Sequence, residues 1–190
     1  MENTARKLDS YSYADYKTWD DDIRYEIIEG FLYMMSPAPT LEHQDIAGSI
    51  YSSFKNQLKN KKCKTYIAPI DVLIDFDTTE DYSKTIVQPD VLVVCDKNKL
   101  RSKGIFGAPD LIIEVASPST IDYDFSIKKQ MYCRYGVPEY WIVLPADKTI
   151  IVYTIEDGKY TTTNYIKVGI INSIAVEGLV FNLNEIFEER

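Results

Sequence analysis

The sequence predicts an α/β fold, a mixed β-sheet flanked by helices. Three observations predict it. A long helical stripe near the start is followed by several short strand candidates. A second helical segment lies between two nearly continuous apolar runs, the mark of strands covered on both faces. The order helix, strands, helix, strands then argues for a mixed sheet rather than a bundle or an all-β sandwich. With 190 residues, the chain is read as one domain over 1–190, with a polar, Tyr-rich lead-in at 1–20.

The elements follow in order. Arg24 to Ile28 and Phe31 to Met35 are strand candidates, with Glu29-Gly30 as a tight turn between them. After Pro37 and Pro39, the apolar residues Leu41, Ile46, Ala47, Ile50, Tyr51, Phe54 and Leu58 form a helical stripe from Thr40 to about Lys59. Thr40 suits its N-cap, and Lys55 and Lys59 suit the negative end of its dipole. Thr65 to Ile67, Val72 to Phe76 and Val87 to Cys95 are the next strands, with polar connections at Asp77–Lys84 and Asp96–Lys103. Asp110 to Ala116 is a strand, and Ser117-Pro118-Ser119-Thr120 ends it. A helix from about Ile121 to Tyr135 stops at Gly136, the residue type that closes helices in the left-handed conformation. Glu139 to Leu144 is a buried strand, and Thr149–Thr154 with Lys159–Tyr165 form a hairpin around Asp157-Gly158. Leu183 to Glu189 reads as a short closing helix.

Composition narrows the function classes. No apolar run approaches the roughly 18 residues of a membrane span. The amino terminus has no apolar signal region, so a cytoplasmic location is expected. The net charge of −8 argues against a protein that coats nucleic acid through a broad basic surface. It leaves room for a small site where metal ions bridge acids to phosphate. Cys63, Cys95 and Cys133 show no CxxC spacing, so they are read as small buried hydrophobes and not as a disulfide or zinc framework.

Two acids stand out because charge inside an apolar strand is costly unless it is paired or bound to a metal. Asp90 opens the run Val91-Leu92-Val93-Val94, and Glu114 lies inside Leu111–Ala116. Strand alternation puts Asp110, Ile112 and Glu114 on one face. Either Glu114 pairs with a buried cation, or Asp90 and Glu114 converge on a divalent ion with hard oxygen ligands. Lys128 and Lys129 on the following helix are the candidate cations. From spacing alone, a solvated lysine, paired at most with Asp124, is the simpler reading.

The segments RYEIIEGFLYMMSPAP, HQ, PDVLVV, GAPDLIIEVASPST and KKQMYCRYGVPEYWIV, in this order, resemble the Uma2 family of the PD-(D/E)XK nuclease superfamily. The resemblance runs from about Tyr13 to Phe187. It implies a restriction-endonuclease-like fold and a Mg²⁺- or Mn²⁺-dependent endonuclease acting on DNA. Pro89-Asp90 matches the PD element and Glu114 the acid of the second element. Ala116 stands where the motif lysine would be, and Lys128, four residues before Tyr132, matches the displaced position, with Lys129 as the fallback. The resemblance makes Asp90, Glu114 and the Val115 backbone carbonyl the metal ligands. It places Asp90, Glu114 and Lys128 in the catalytic set and adds Glu26, in a supporting or second-metal role, and His43; the sole histidine is either a general base or a structural residue that caps its helix or bonds a neighbouring strand. By analogy it also implies a homodimer. The rival reading is a nuclease-like fold serving as a non-catalytic binding or assembly module; a third is a nuclease acting on RNA or branched DNA. Asp110 is read as bonding loop amides, with flanking the metal as the alternative; Asp71 could lie near the same pocket, but no role is assigned to it.

Overall fold

The computed structural model describes residues 10–20, 23–35 and 38–187. The path starts with a single-turn helix α1 (Tyr13–Tyr16), the hairpin β1 (Tyr25–Ile28) and β2 (Phe31–Met34), and the long helix α2 (Leu41–Gln57). Then come β3 (Lys64–Ile67), β4 (Val72–Leu73), β5 (Ile86–Val87), β6 (Val91–Val94), β7 (Leu100–Arg101), β8 (Gly104–Phe106) and β9 (Leu111–Val115). The next helical segment has three parts: α3 (Ile121–Tyr123), a π turn (Asp124–Lys128) and α4 (Lys129–Arg134). The chain finishes with β10 (Glu139–Leu144), β11 (Thr149–Glu156), β12 (Lys159–Ile166), β13 (Ile170–Asn172), β14 (Val180–Asn182) and α5 (Asn184–Phe187).

Most strands join one of two mixed six-stranded sheets. The first runs β2-β1-β5-β4-β8-β7 and the second β12-β11-β10-β9-β6-β3, while β13 and β14 form a separate ribbon. The β4–β8 and β9–β10 pairs are parallel, and the other pairs are antiparallel. The parallel β9–β10 pair needs a crossover, and the α3–α4 segment supplies it. Both expected hairpin turns form. Glu29-Gly30 and Asp157-Gly158 have successive positive φ angles of 52° and 83°, and of 50° and 75°, the geometry whose twist matches a hairpin.

Helix α2 lies on one face of the second sheet. Its Ile46, Ile50 and Phe54 pack on Val91, Val93, Ile113 and Trp141. The opposite face, with Leu92, Ile112 and Ile142, packs on Met131 and Tyr132 of α4 and on Val72, Val87 and Ile105 of the first sheet. Thr40 caps α2, its side chain accepting from the His43 amide at 3.2 Å. Each fully buried large apolar side chain contributes about 1.5–3 kcal/mol, so this two-sided burial anchors β6 and β9, the strands that carry the acids.

Four expectations are corrected. The strand expected over Val87–Cys95 is two strands in different sheets, β5 and β6. Between them the Gln88 amide donates to the Glu26 carboxylate at 2.8 Å. Pro89 has no N–H to give, and pairing resumes where the Asp90 carbonyl accepts from Ala68. The helix expected over Ile121–Tyr135 is interrupted by the π turn. Cys63 and Cys95 are joined in a disulfide, directly beyond the Lys64–Val94 cross-strand pair. They read as unpaired only because strand register was not visible in their spacing. The strand expected over Val72–Phe76 is confined to Val72–Leu73, and β7, β8, β13 and β14 were not anticipated. Residues 1–9 of the lead-in and the last residues of the closing helix lie outside the described residues. Among the described residues no helix is long and apolar enough to cross a membrane.

Candidate active site

Register brings the two strand acids together. Val91 of β6 pairs with Ile113 of β9, so Asp90 sits opposite Glu114, and opposed residues of an antiparallel pair share a face. That face is the one turned toward α4 and the first sheet. The backbone locks the pair reciprocally. The Asp90 amide donates to Glu114 Oε2 at 3.3 Å, and the Val115 amide donates to Asp90 Oδ2 at 2.8 Å. Pro89 makes this possible, because it ends the pairing of the preceding strand just before the acid.

Lys128 reaches back from the helical segment to meet Glu114. Its Nζ donates to Glu114 Oε1 at 2.8 Å and lies 3.1 Å from Glu26 Oε1, and its side chain is only 6% exposed. The Tyr132 hydroxyl, one turn on, donates to the same Glu114 oxygen at 2.8 Å. Glu26, on β1, also accepts from the Gln88 amide and from the Tyr123 hydroxyl at 3.3 Å. The π turn contributes a third carboxylate, Asp124, which is buried beside Lys128. Single π turns inside helices recur at functional sites because they re-aim side chains that a regular helix would send elsewhere. Lys129 is turned away, its Nζ 4.5 Å from the centre of the Tyr153 ring.

His43, in the first turn of α2, completes the cluster. Its Nε2 lies 3.1 Å from Asp90 Oδ2. The hydrogen bond to Asp90 raises the imidazole pKa above its ordinary value and burial opposes it, with a smaller push from the Val115 backbone. Nδ1 is buried with no well-aligned partner among the described residues.

The electrostatics are out of balance. Glu26, Glu114, Asp124 and Asp90 surround one lysine and one histidine. Burial pushes the Glu114 carboxyl up to about 8, with Lys128 pulling it down and Asp90, Asp124 and Glu26 pushing it further up. Burial likewise raises Asp124 to about 6. Burial works against the Lys128 charge, but Glu114, Glu26 and Asp124 overcome it and hold the ammonium well above the usual lysine range. Such a site holds protons that a cation could replace.

These groups line a cavity of about 420 Å³ that also includes Arg24, Gln88, Met34, Thr40 and Ser117. Asp90, Glu114, Lys128, Glu26, His43 and the Val115 backbone, all anticipated from sequence, thus converge on one place. Sequence reasoning missed Arg24, Gln88, Tyr123 and the siting of Asp124. Asp124 was visible only as an i, i+4 partner of Lys128. Asp71 lies behind Gln88, accepting from its Nε2 at 2.8 Å, and Asp110 accepts from the Cys95 amide at 2.7 Å.

Among the described residues, no three His, Cys, Asp or Glu side chains gather into a ready-made metal site. The donors are nevertheless hard oxygens: two carboxylates locked face to face and the backbone carbonyl of Val115. Mg²⁺ is commonly held by one or two carboxylates, with water and substrate phosphate filling the rest of its shell. The donor set therefore fits a hard divalent ion.

Comparison with known proteins agrees with the fold. The family model of Uma2, described as "putative restriction endonuclease", matches residues 13–184. An uncharacterized protein of Synechocystis sp. PCC 6803, slr1290, is 29% identical over 155 residues, covering 80% of this chain and 78% of its own. The crystal structure of a "putative nuclease belonging to DUF820" from Anabaena variabilis ATCC 29413 superimposes with a TM-score of 0.73 at 16% identity, covering 93% of this chain and 97% of its own. At that identity the likeness concerns the fold, which is restriction-endonuclease-like, with mixed sheets flanked by helices. With a family match over residues 13–184, the chain belongs to the Uma2 family.

Proposed function

We propose that the protein is a Mg²⁺- or Mn²⁺-dependent endonuclease that hydrolyses phosphodiester bonds in DNA. The observation that carries this reading is the reciprocal clamp of Asp90 and Glu114 with Lys128 drawn 2.8 Å from Glu114 in a buried setting. Asp90, Glu114 and the Val115 carbonyl would hold the ion. When bound, such an ion lowers the pKa of water and offsets charge building on phosphate. The chain's own residues supply the rest. Glu114 and Glu26 engage two of the three Lys128 donors, leaving one to orient the attacking water or a phosphate oxygen. Tyr132 fixes the Glu114 carboxylate from the other side. His43 holds Asp90 in place, and with its raised pKa it can hand a proton to a departing oxygen. Cutting both strands of a duplex calls for two such sites, so the homodimer belongs to the same proposal.

The test is plasmid nicking with Mg²⁺ or Mn²⁺, wild type beside Glu114→Gln. Cleavage that needs the ion and disappears in the variant supports the reading. A wild type that binds the ion but cuts no DNA form favours the non-catalytic module.

A further inference from the structure

The cavity holds a third cationic side chain with its own support. Arg24 lies two residues before Glu26, so both side chains fall on the same face of β1. Arg24 Nε donates to Gln88 Oε1 at 3.0 Å, and its Nη2 donates to the same oxygen. Gln88 is 7% exposed, and its amide is fixed from behind. Its Nε2 donates to Asp71 Oδ1 at 2.8 Å and approaches the Tyr16 hydroxyl at 3.2 Å, and that hydroxyl donates to the same Asp71 oxygen at 3.3 Å. An ionised carboxylate only accepts, so Asp71 dictates which end of the amide faces it and turns Oε1 toward Arg24. The Gln88 backbone amide meanwhile donates to Glu26. One buried residue therefore ties the guanidinium to the carboxylate cluster.

The other two cations of the cavity are committed: Lys128 to Glu114 and Glu26, and His43 to Asp90. Among the described residues, Arg24 meets no carboxylate at ion-pair distance, and the residue is exposed. A planar guanidinium held along one edge by a neutral amide keeps its charge and its remaining donors for an oxyanion.

We propose that Arg24 is a phosphate anchor, binding a backbone phosphate oxygen of the nucleic acid at the cavity mouth, with Gln88, Asp71 and Tyr16 as its positioning residues. This rests on the nuclease reading. The test is fluorescence anisotropy with a short fluorescein-labelled DNA, single-stranded and duplex, in Ca²⁺ over a range of salt. Arg24→Ala weakens binding about tenfold and lowers the slope of log affinity against log salt by about one, the loss of one phosphate contact. Arg24→Lys keeps the slope but recovers only part of the affinity, because a point charge replaces the fork. Gln88→Ala weakens binding with little change in slope, and adding it to Arg24→Ala costs nothing further. Wild-type affinity and slope in Arg24→Ala overturn the anchor while leaving the nuclease reading intact if the wild type still cuts. A wild type that neither binds nor cuts any DNA overturns both.

Discussion

Glu114→Gln should make the protein more stable in alkali and less stable in acid, measured without divalent ions. The cause is the burial that pushes the Glu114 carboxyl up to about 8 from an ordinary 4.5. The folded state holds a proton that the unfolded chain releases above its ordinary value, so stability falls as pH rises from about 4.5 to 8. At pH 8 the accumulated penalty is about 5 kcal/mol, at about 1.4 kcal/mol per pH unit. Glutamine is isosteric and cannot ionise, so it removes that penalty. Its Oε1 still accepts from Lys128, but its Nε2 then faces the Asp90 amide, donor against donor, and the loss of that 3.3 Å bond costs about 1–3 kcal/mol. The net at pH 8 is a gain of about 2–4 kcal/mol. At pH 5 the penalty is under about 1 kcal/mol, so the lost hydrogen bond dominates and the variant is about 1–2 kcal/mol less stable. For a chain of this size that is a rise of about 4–16 °C in Tm at pH 8 and a fall of a few degrees at pH 5. Circular-dichroism melts in EDTA at the two pH values decide it. A variant destabilised at both would refute the claim that burial, rather than the pair with Lys128, governs this carboxyl.

Other perturbations probe the same cluster and its frame. Lys128→Met leaves Glu114, Glu26 and Asp124 buried without their cation, and urea unfolding at pH 8 should show a loss of about 3–5 kcal/mol, shrinking as Glu114 and Asp124 take up protons toward pH 5. His43 is the sole histidine, so its ring can be titrated by NMR without assignment, and Asp90→Asn should lower its pKa. Because its folded pKa is raised, the His43–Asp90 pair stabilises below the ordinary value of 6.5, and that stability disappears as pH passes the folded value. Reducing the Cys63–Cys95 disulfide, which spans 32 residues, should cost about 3–4 kcal/mol, seen as a lower melting temperature in dithiothreitol but not in a Cys63→Ser/Cys95→Ser variant.

The parts of the site that the sequence revealed were those that broke a local rule. Asp90 and Glu114 are charges in runs that otherwise want none, and strand alternation fixed the face of Glu114. Spacing alone did not separate Lys128 from Lys129, because choosing between them needs the helical phase; only the family resemblance favoured Lys128. The π turn over Asp124–Lys128 alters that phase, and nothing in the periodicity announces it. Arg24, Gln88 and Asp71 come from the lead into β1, the β5–β6 link and the approach to β4, and they meet only through sheet order. Their sequence neighbours gave no hint of a network. The same applies to Val87–Cys95: a near-continuous apolar run cannot say that its two halves belong to different sheets, though Pro89 marks where the division falls.

That division explains how a chain with a net charge of −8 can be suited to a polyanion. The run changes sheets at Pro89, so the residue after it lies at the seam between the two sheets, where it faces Glu114 across one strand pair, and Glu114 in turn receives Lys128 from the crossover segment. The seam carries four carboxylates against one lysine and one histidine, an excess that favours a proton or a divalent ion more than a phosphate. On the proposed reading, approach of a nucleic acid depends little on overall surface charge; it would depend on an ion that reverses the local sign and on the guanidinium that Gln88 holds at the cavity mouth. The net charge and the nuclease reading therefore describe different length scales. Screening over about 8 Å at physiological salt keeps the distant surface acids from deciding what happens inside the cavity.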